Sequence, residues 1–260
     1  MTSGQAELIA ADVVAVAASM GAVYLAVPKP LPETAGKPTS VLEFVHTLWW
    51  YPFVFYLVVY AAIATYKLSK SPEARWTDTC PESYAFLRTY IAAQIVAIPV
   101  ELSLPGAWPK KLQMVAHHVV SVSGYAVGLL TPTCHFFGTA AGLSEISTIF
   151  LEGLLLSKHV ALENFFAARA PWFLVVNGAG LWLSFILFRL VLFPAIVAVF
   201  FHDLFFYPEL TWRKTGSVKY WIPPMLAFLF VLSAVWFQKI HKGFMTKVLS
   251  ALRPADKKLE

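Results

Sequence analysis

Seven stretches of the chain, near residues 8–27, 46–66, 84–104, 112–131, 135–156, 173–201 and 220–240, are apolar over lengths that suit a membrane crossing. A helix needs about 20 such residues to cross about 30 Å of hydrocarbon. Lipid offers no partner to backbone N–H and C=O groups, so a span must satisfy them internally as a helix or close into a barrel. Windows of this length are too long for barrel strands. Composition agrees, with 58% hydrophobic residues, 13% charged residues and a mean hydropathy of +0.64, outside the range of soluble domains. The expected fold is an all-α, polytopic membrane helical bundle of about seven transmembrane helices.

Three parts follow along the chain. Residues 1–44 hold the first span and a connection with Pro28, Pro30, Pro32 and Pro38, whose fixed φ and missing N–H groups oppose helix. Residues 45–245 hold one transmembrane domain without an inserted soluble unit or internal repeat, and residues 246–260 form a basic tail. Pro99 and Pro194 fall inside spans, where a kink can open space between helices, while Pro223 and Pro224 fall in the first turns of the last span. The aromatic clusters Trp49-Trp50-Tyr51, Phe205-Phe206-Tyr207 and Tyr220-Trp221 suit an interfacial belt.

The net charge of +5 and pI near 9.1 do not call for nucleic acid, because the basic residues lie mostly in loops and tail. If the spans alternate, Lys29, Lys37, Lys110, Lys111, Lys158, Arg169, Lys239, Lys242, Lys247, Arg253, Lys257 and Lys258 share one side. The opposite side has half as many, Lys67, Lys70, Arg75, Arg213, Lys214 and Lys219, with Arg88 and Arg189 inside spans. The positive-inside rule then puts the carboxyl end in the cytoplasm. No basic residue precedes the first span, so a cleaved signal is not expected. Cys80 and Cys134 fall on the non-cytoplasmic side, where free thiols are the commoner outcome and a bridge is the alternative.

Polar residues inside the spans point to function, since an ionisable group at a helix centre costs about 2.5–3.5 kcal/mol on insertion scales. On the fourth span Gln113, His117 and Ser121 recur every four residues, and Gly124 and Gly128 extend that face with small residues that allow close helix contact. His118 points about 100° away, with Ser121 and Tyr125 on its own stripe. On the fifth span Glu145, Thr148 and Glu152 share a face, flanked by Ser144 and Ser147, and the sixth adds Asn177, Ser184 and Arg189. Two readings stay open. The groups can satisfy one another, Arg189 pairing with Glu145 or Glu152 and the histidines bonding to Ser or Tyr. Alternatively they line a ligand or catalytic cavity, which the number of costly groups favours. No metal is expected: the chain lacks the histidine boxes of membrane di-iron enzymes and a His-Glu-x-x-His motif. His46, His135, His159, His202 and His241 stand alone near span ends, where interfacial placement is the default.

The order His117-His118, then Glu145-Ile146-Ser147-Thr148, then Asn177-Gly178 followed by Phe185, Phe188 and Arg189 resembles the TLC domain family, which includes the ceramide synthases. The likeness covers about residues 45–245 and implies a six-helix core preceded by one N-terminal helix. In the synthase signature a His-His pair precedes an Asp-x-Ser-Asp-x-Leu-Leu-Glu stretch. Here that stretch reads Glu145 to Glu152, with Glu145 in place of the first Asp and Thr148 in place of the second. The substitutions place the chain nearer the smaller, less characterised branch of the family. Lys257-Lys258-Leu259-Glu260 resembles a dilysine retrieval signal of the endoplasmic reticulum, and a basic tail also suits anionic lipid.

Three functions stay open, of which the resemblance implies the second. In the first, the protein binds membrane lipid and influences lipid composition, with Glu152, Asn177, Arg189, Tyr125 and Ser147 around the lipid. In the second, it is an N-acyltransferase with acyl-CoA as co-substrate and no other cofactor; His117 or His118 attacks the thioester, and Glu145 orients the ring or takes a proton. In the third, it is an accessory subunit of a larger membrane complex. The expected partners are membrane lipids rather than nucleic acid, with a homodimer or larger assembly left open.

Overall fold

The computed structural model describes residues 3–27, 41–157 and 159–252. The proline-rich connection from Pro28 to Pro38 and the dilysine-like ending lie outside the described residues. Among the described residues the chain is helical throughout, without a strand. In order come α1 (Ser3–Ala26), α2 (Val41–Leu68), α3 (Pro72–Thr77), α4 (Pro81–Ser103), α5 (Trp108–Leu130), α6 (His135–Gly142), α7 (Glu145–Ser157), α8 (Val160–Arg169) and α9 (Pro171–Phe185). A π-helical turn (Ile186–Val191) leads into α10 (Leu192–Phe206), followed by α11 (Pro208–Lys214), a 3₁₀ turn (Val218–Tyr220) and α12 (Ile222–Leu252).

Six rods are long and apolar enough to cross a membrane: α1, α2, α3 with α4, α6 with α7, α9 with α10, and α12. The protein is a polytopic membrane bundle. α5 has 23 residues, the same as α4, but Lys110, Lys111, Gln113 and the histidine pair hold its hydropathy below that of the six. It packs chiefly against α4 as the seventh rod. Local sequence sets the boundaries. Prolines begin α3, α4, α9 and α11, where the missing N–H is unneeded and φ is already helical. Ser71 caps α3 by accepting from Ala74 N. α12 continues through residues 246–252, which the sequence reading assigned to the tail.

Pro194 explains the π turn. It offers no N–H to the preceding turn, and Leu192 N donates five residues back to Leu187 O rather than four. The extra residue in that turn redirects the side chains around Arg189.

Packing differs between the two ends of the bundle. One end is plugged by aromatic residues: Trp76, Phe137 and Phe200 are buried with ring centroids 5.0–5.4 Å apart. Beside them the fully buried Asp203 accepts from Arg75 Nε and Nη2 at 2.6 Å each, from Trp76 Nε1 at 3.0 Å and from His202 Nδ1 at 3.2 Å. Lys214 of α11 pairs with Glu73 of α3 at 3.0 Å, so the loops holding Arg75 and Lys214 share one end, as the charge pattern requires. Glycines bring rods close: a side chain on Gly142 would strike the Phe86 ring, and one on Gly124 would strike Met225.

Several residues sit deeper than the sequence suggests. Trp49 and Trp50 are inside the bundle rather than in an interfacial belt, Trp49 donating to Ser19 of α1 at 2.9 Å. Phe205, Phe206, Tyr220 and Trp221 are exposed, as a belt requires. His135 is buried between Ser83 Oγ at 2.7 Å and Gly128 O at 3.0 Å. Arg88 pairs with Asp12, tying the otherwise outward-facing α1 to α4. Cys80 and Cys134 are free thiols.

Asp203→Asn should cost about 2–3 kcal/mol, between the limits for surface and buried ion pairs, because the bidentate guanidinium loses its counter-charge. The expected result is a fall of about 5–10 °C in the unfolding midpoint in detergent; an unchanged midpoint would show that the clasp does not hold this end together.

Candidate functional site

At the other end the rods surround a cavity of about 320 Å³, with ionisable side chains set into a largely apolar wall. α2 contributes His46 and Trp50; α4, Gln94, Ala97 and Glu101; α5, Met114, His117 and His118; and α7, Glu145, Ser147, Thr148, Leu151 and Glu152. Leu181, Phe185 and Arg189 close it from α9 and the π turn, and Trp236, Lys239 and Ile240 from α12. Each polar side chain reaches the cavity for a local reason. Adjacent histidines on α5 diverge by about 100°, so both reach one wall only because it curves around them; their ring centroids lie 5.5 Å apart. His117 meets Trp236 edge to face at 5.4 Å. Glu145, Thr148 and Glu152 lie on one face of α7, as their spacing requires.

Arg189 is buried yet pairs with neither glutamate. Its Nε donates to Ser147 Oγ at 2.7 Å and its Nη2 to Thr148 Oγ1 at 3.1 Å, with the guanidinium carbon 5.2 Å from the Phe185 ring centre. Among the described residues no carboxylate lies within ion-pair distance of it. Glu145 Oε1 instead accepts from Tyr90 OH at 3.1 Å. Mutual neutralisation of Arg189 and the glutamates, one of the two readings of the sequence, is therefore not how these groups are arranged.

The remaining polar atoms are left without protein partners. Among the described residues, ten buried side-chain nitrogens and oxygens lack a hydrogen bond, and six of them belong to this cavity: His46 Nε2, Gln94 Oε1, His117 Nδ1, both nitrogens of His118, and Glu152 Oε2. Orphans of this kind cost about 1–3 kcal/mol each, and six of the ten belong to side chains that line this one cavity. Among the described residues no group of three His, Cys, Asp or Glu side chains is placed to hold a metal ion.

The structure brings together most of the residues singled out in the sequence: His117, His118, Glu145, Ser147, Glu152 and Arg189 all line the cavity. Two lie behind it. Tyr125 packs edge to face on Tyr90, 4.7 Å between centroids, and lines a separate cavity of about 20 Å³. Asn177 is buried, donates to Phe173 O at 2.8 Å and fills the space beside Gly153. Tyr125 thus supports the tyrosine that holds Glu145, and Asn177 supports the joint between α7 and α9. Sequence reasoning missed His46, Gln94, Glu101, Trp236 and Lys239. His46 lies near a span end, and only the packing of α2 on α7 turns it inward; Gln94 stands alone among alanines on α4 and gave a weak signal.

Comparison with known families finds a match to the TLC domain over residues 39–242, which takes in every rod of the cavity and excludes α1. Comparison with curated proteins and with solved structures finds no match. With more than half of its length matched, the chain belongs to the TLC domain family.

Proposed function

We propose that the protein binds a membrane lipid by its head group in the polar cavity and through that binding influences membrane lipid composition. The observation that carries this reading is the cluster of six buried polar atoms without hydrogen-bond partners, all on side chains that line one cavity, beside a guanidinium held by hydroxyls alone. Such a wall fits a head group with a negative group for Arg189 and hydroxyl or amine donors for Glu152 and the imidazoles. Thr148 supports it further. Where the synthase signature has an aspartate that could neutralise Arg189, this chain has a hydroxyl, so the positive charge stays available; the substitution also fits the family's smaller branch.

Acyl transfer is the second reading, favoured by two imidazoles without hydrogen bonds on the cavity wall. In that chemistry an imidazole nitrogen attacks the thioester carbon of acyl-CoA, the C–S bond breaks and the thiol leaves, and a lipid amine then takes the acyl group from the ring. Glu145 weighs against it as the base. Its hydrogen bond goes to Tyr90, and neither histidine has a carboxylate in hydrogen-bond reach. We place the carboxyl end on the cytoplasmic side of the endoplasmic reticulum membrane, supported by the two-to-one excess of basic residues on that side.

Native mass spectrometry of the protein extracted in mild detergent should show a bound lipid. Thr148→Asp, which supplies Arg189 with a counter-charge, should lower retention of a lipid with an anionic head about tenfold, and His118→Ala should lower it by a similar factor. Retention equal to wild type in both variants, or no lipid in any preparation, would overturn the binding reading.

The second reading is checked with palmitoyl-CoA. An adduct of acyl mass on the α5 peptide, lost in His117→Ala and His118→Ala together with turnover, is its expected signature; absence of any adduct or turnover in the wild type removes it.

A further inference from the structure

Beside this cavity a second cleft of about 520 Å³ runs between α9 and α12. The two are adjacent, for Leu181, Lys239 and Ile240 line both. The cleft is apolar along its length and basic at two points. Lys239 stands at the junction, exposed and without a hydrogen bond or ion pair among the described residues, and Lys247 lies two turns further along α12.

Two glycines keep this cleft clear. In a helix interior glycine costs about 1 kcal/mol relative to alanine, and at four positions in this bundle the cost has a packing reason. Side chains at positions 124, 142, 153 and 180 would strike Met225, Phe86, Asn177 and Phe150. Gly178 and Gly243 differ: a side chain on either would meet nothing within 4 Å, as on Gly21 of α1, and these two line the cleft. Close packing within this chain does not call for them. Their shared effect is an unfilled trough with its floor on α9 and α12.

Resting on the lipid-binding reading above, we infer that the α9/α12 cleft is the berth for the acyl chain of the lipid whose head group occupies the polar cavity, with Lys239 at the junction facing its anionic group. A methylene takes up about as much space as a water molecule, about 30 Å³, so the cleft has room for one long chain. Charge complementarity selects a lipid over a packed helix from a second copy. A helix seated there would trap Lys239 against apolar surface, whereas an anionic amphiphile pairs with it while its chain covers the trough. Trp236, one turn before Lys239 on α12, meets His117, so a head group at Lys239 is within reach of the polar wall.

The test uses the full chain in detergent and a lysophosphatidylethanolamine with a photoactivatable diazirine in a sixteen-carbon chain. The expected result is labelling of peptides from α9 and α12. Gly178→Leu and Gly243→Leu, which fill open space, should each weaken binding about tenfold, the loss of roughly two methylenes of burial, while Gly178→Ala and Gly243→Ala stay near wild type. Lys239→Glu should weaken binding of this probe and leave that of neutral hexadecanol unchanged. Full affinity in both leucine variants, each monodisperse on size exclusion, would overturn the inference; so would a dimer that the leucine variants dissociate, which would make the cleft a seam between copies. Label confined to α5 and α7 that is lost in Thr148→Asp would sink the cleft and leave the head-group cavity standing. Label on α9 and α12 that Thr148→Asp leaves intact would sink the cavity reading and leave the cleft standing, and no label at all would remove both.

Discussion

The hydrogen bonds from Arg189 to Ser147 and Thr148 set the character of the bundle's interior. They tie the π turn to α7 across the centre, and they satisfy a guanidinium with neutral oxygens. Had Arg189 paired with Glu145 or Glu152, the chamber would hold a closed ion pair, with its polar capacity spent inside the protein. Hydroxyl partners fix the geometry without cancelling the charge. The glutamates are then free for other roles: Glu145 goes to Tyr90, and Glu152 Oε2 is left without a hydrogen-bond partner.

Around this hook the two ends of the bundle follow opposite rules. At the Asp203 end the central costly groups are answered: the carboxylate by Arg75, Trp76 and His202, Lys219 by the carbonyls of Thr211 and Trp212, His135 by Ser83 and Gly128. Aromatic rings fill what remains. At the chamber end apolar and polar groups face a hollow, and most of the unanswered atoms of the described residues gather there. A bundle in lipid has no solvent to meet such groups, so gathering them around one cavity concentrates a cost that the opposite end largely avoids.

The rods themselves were legible because each span is an uninterrupted apolar run, and hydrocarbon permits few alternatives. So was most of the chamber wall. His117, His118, Glu145, Ser147, Glu152 and Arg189 are expensive in a membrane, and periodicity alone groups those of α5 and those of α7. What stayed hidden depends on contacts between rods. Tyr125 shares the stripe of His118, yet the ring of Tyr90 stands between it and the chamber. Asn177 is polar and central, yet it bonds to its own helix at Phe173 and fills the gap beside Gly153. His46, Trp49 and Trp50 sit where an interface would begin, and only the packing of α1 and α7 over α2 buries the tryptophans and turns the histidine inward. Gly178 and Gly124 look alike in sequence; one faces open space and the other Met225.

The placement of Glu145 bears on chemistry as well as on shape. A histidine acting as nucleophile benefits from a group that holds its ring and accepts its proton, and in this chain the nearest carboxylate of the family motif is engaged by Tyr90, itself wedged by Tyr125 and Phe86. That tyrosine layer holds Glu145 through the Tyr90 hydroxyl. A chamber built to run proton transfer would place the acid on the histidine; one built to hold a polar head group distributes its acceptors and donors around the wall. In this chain Glu145 is held by a tyrosine and no carboxylate bonds to either histidine, which is the arrangement the head-group proposal calls for.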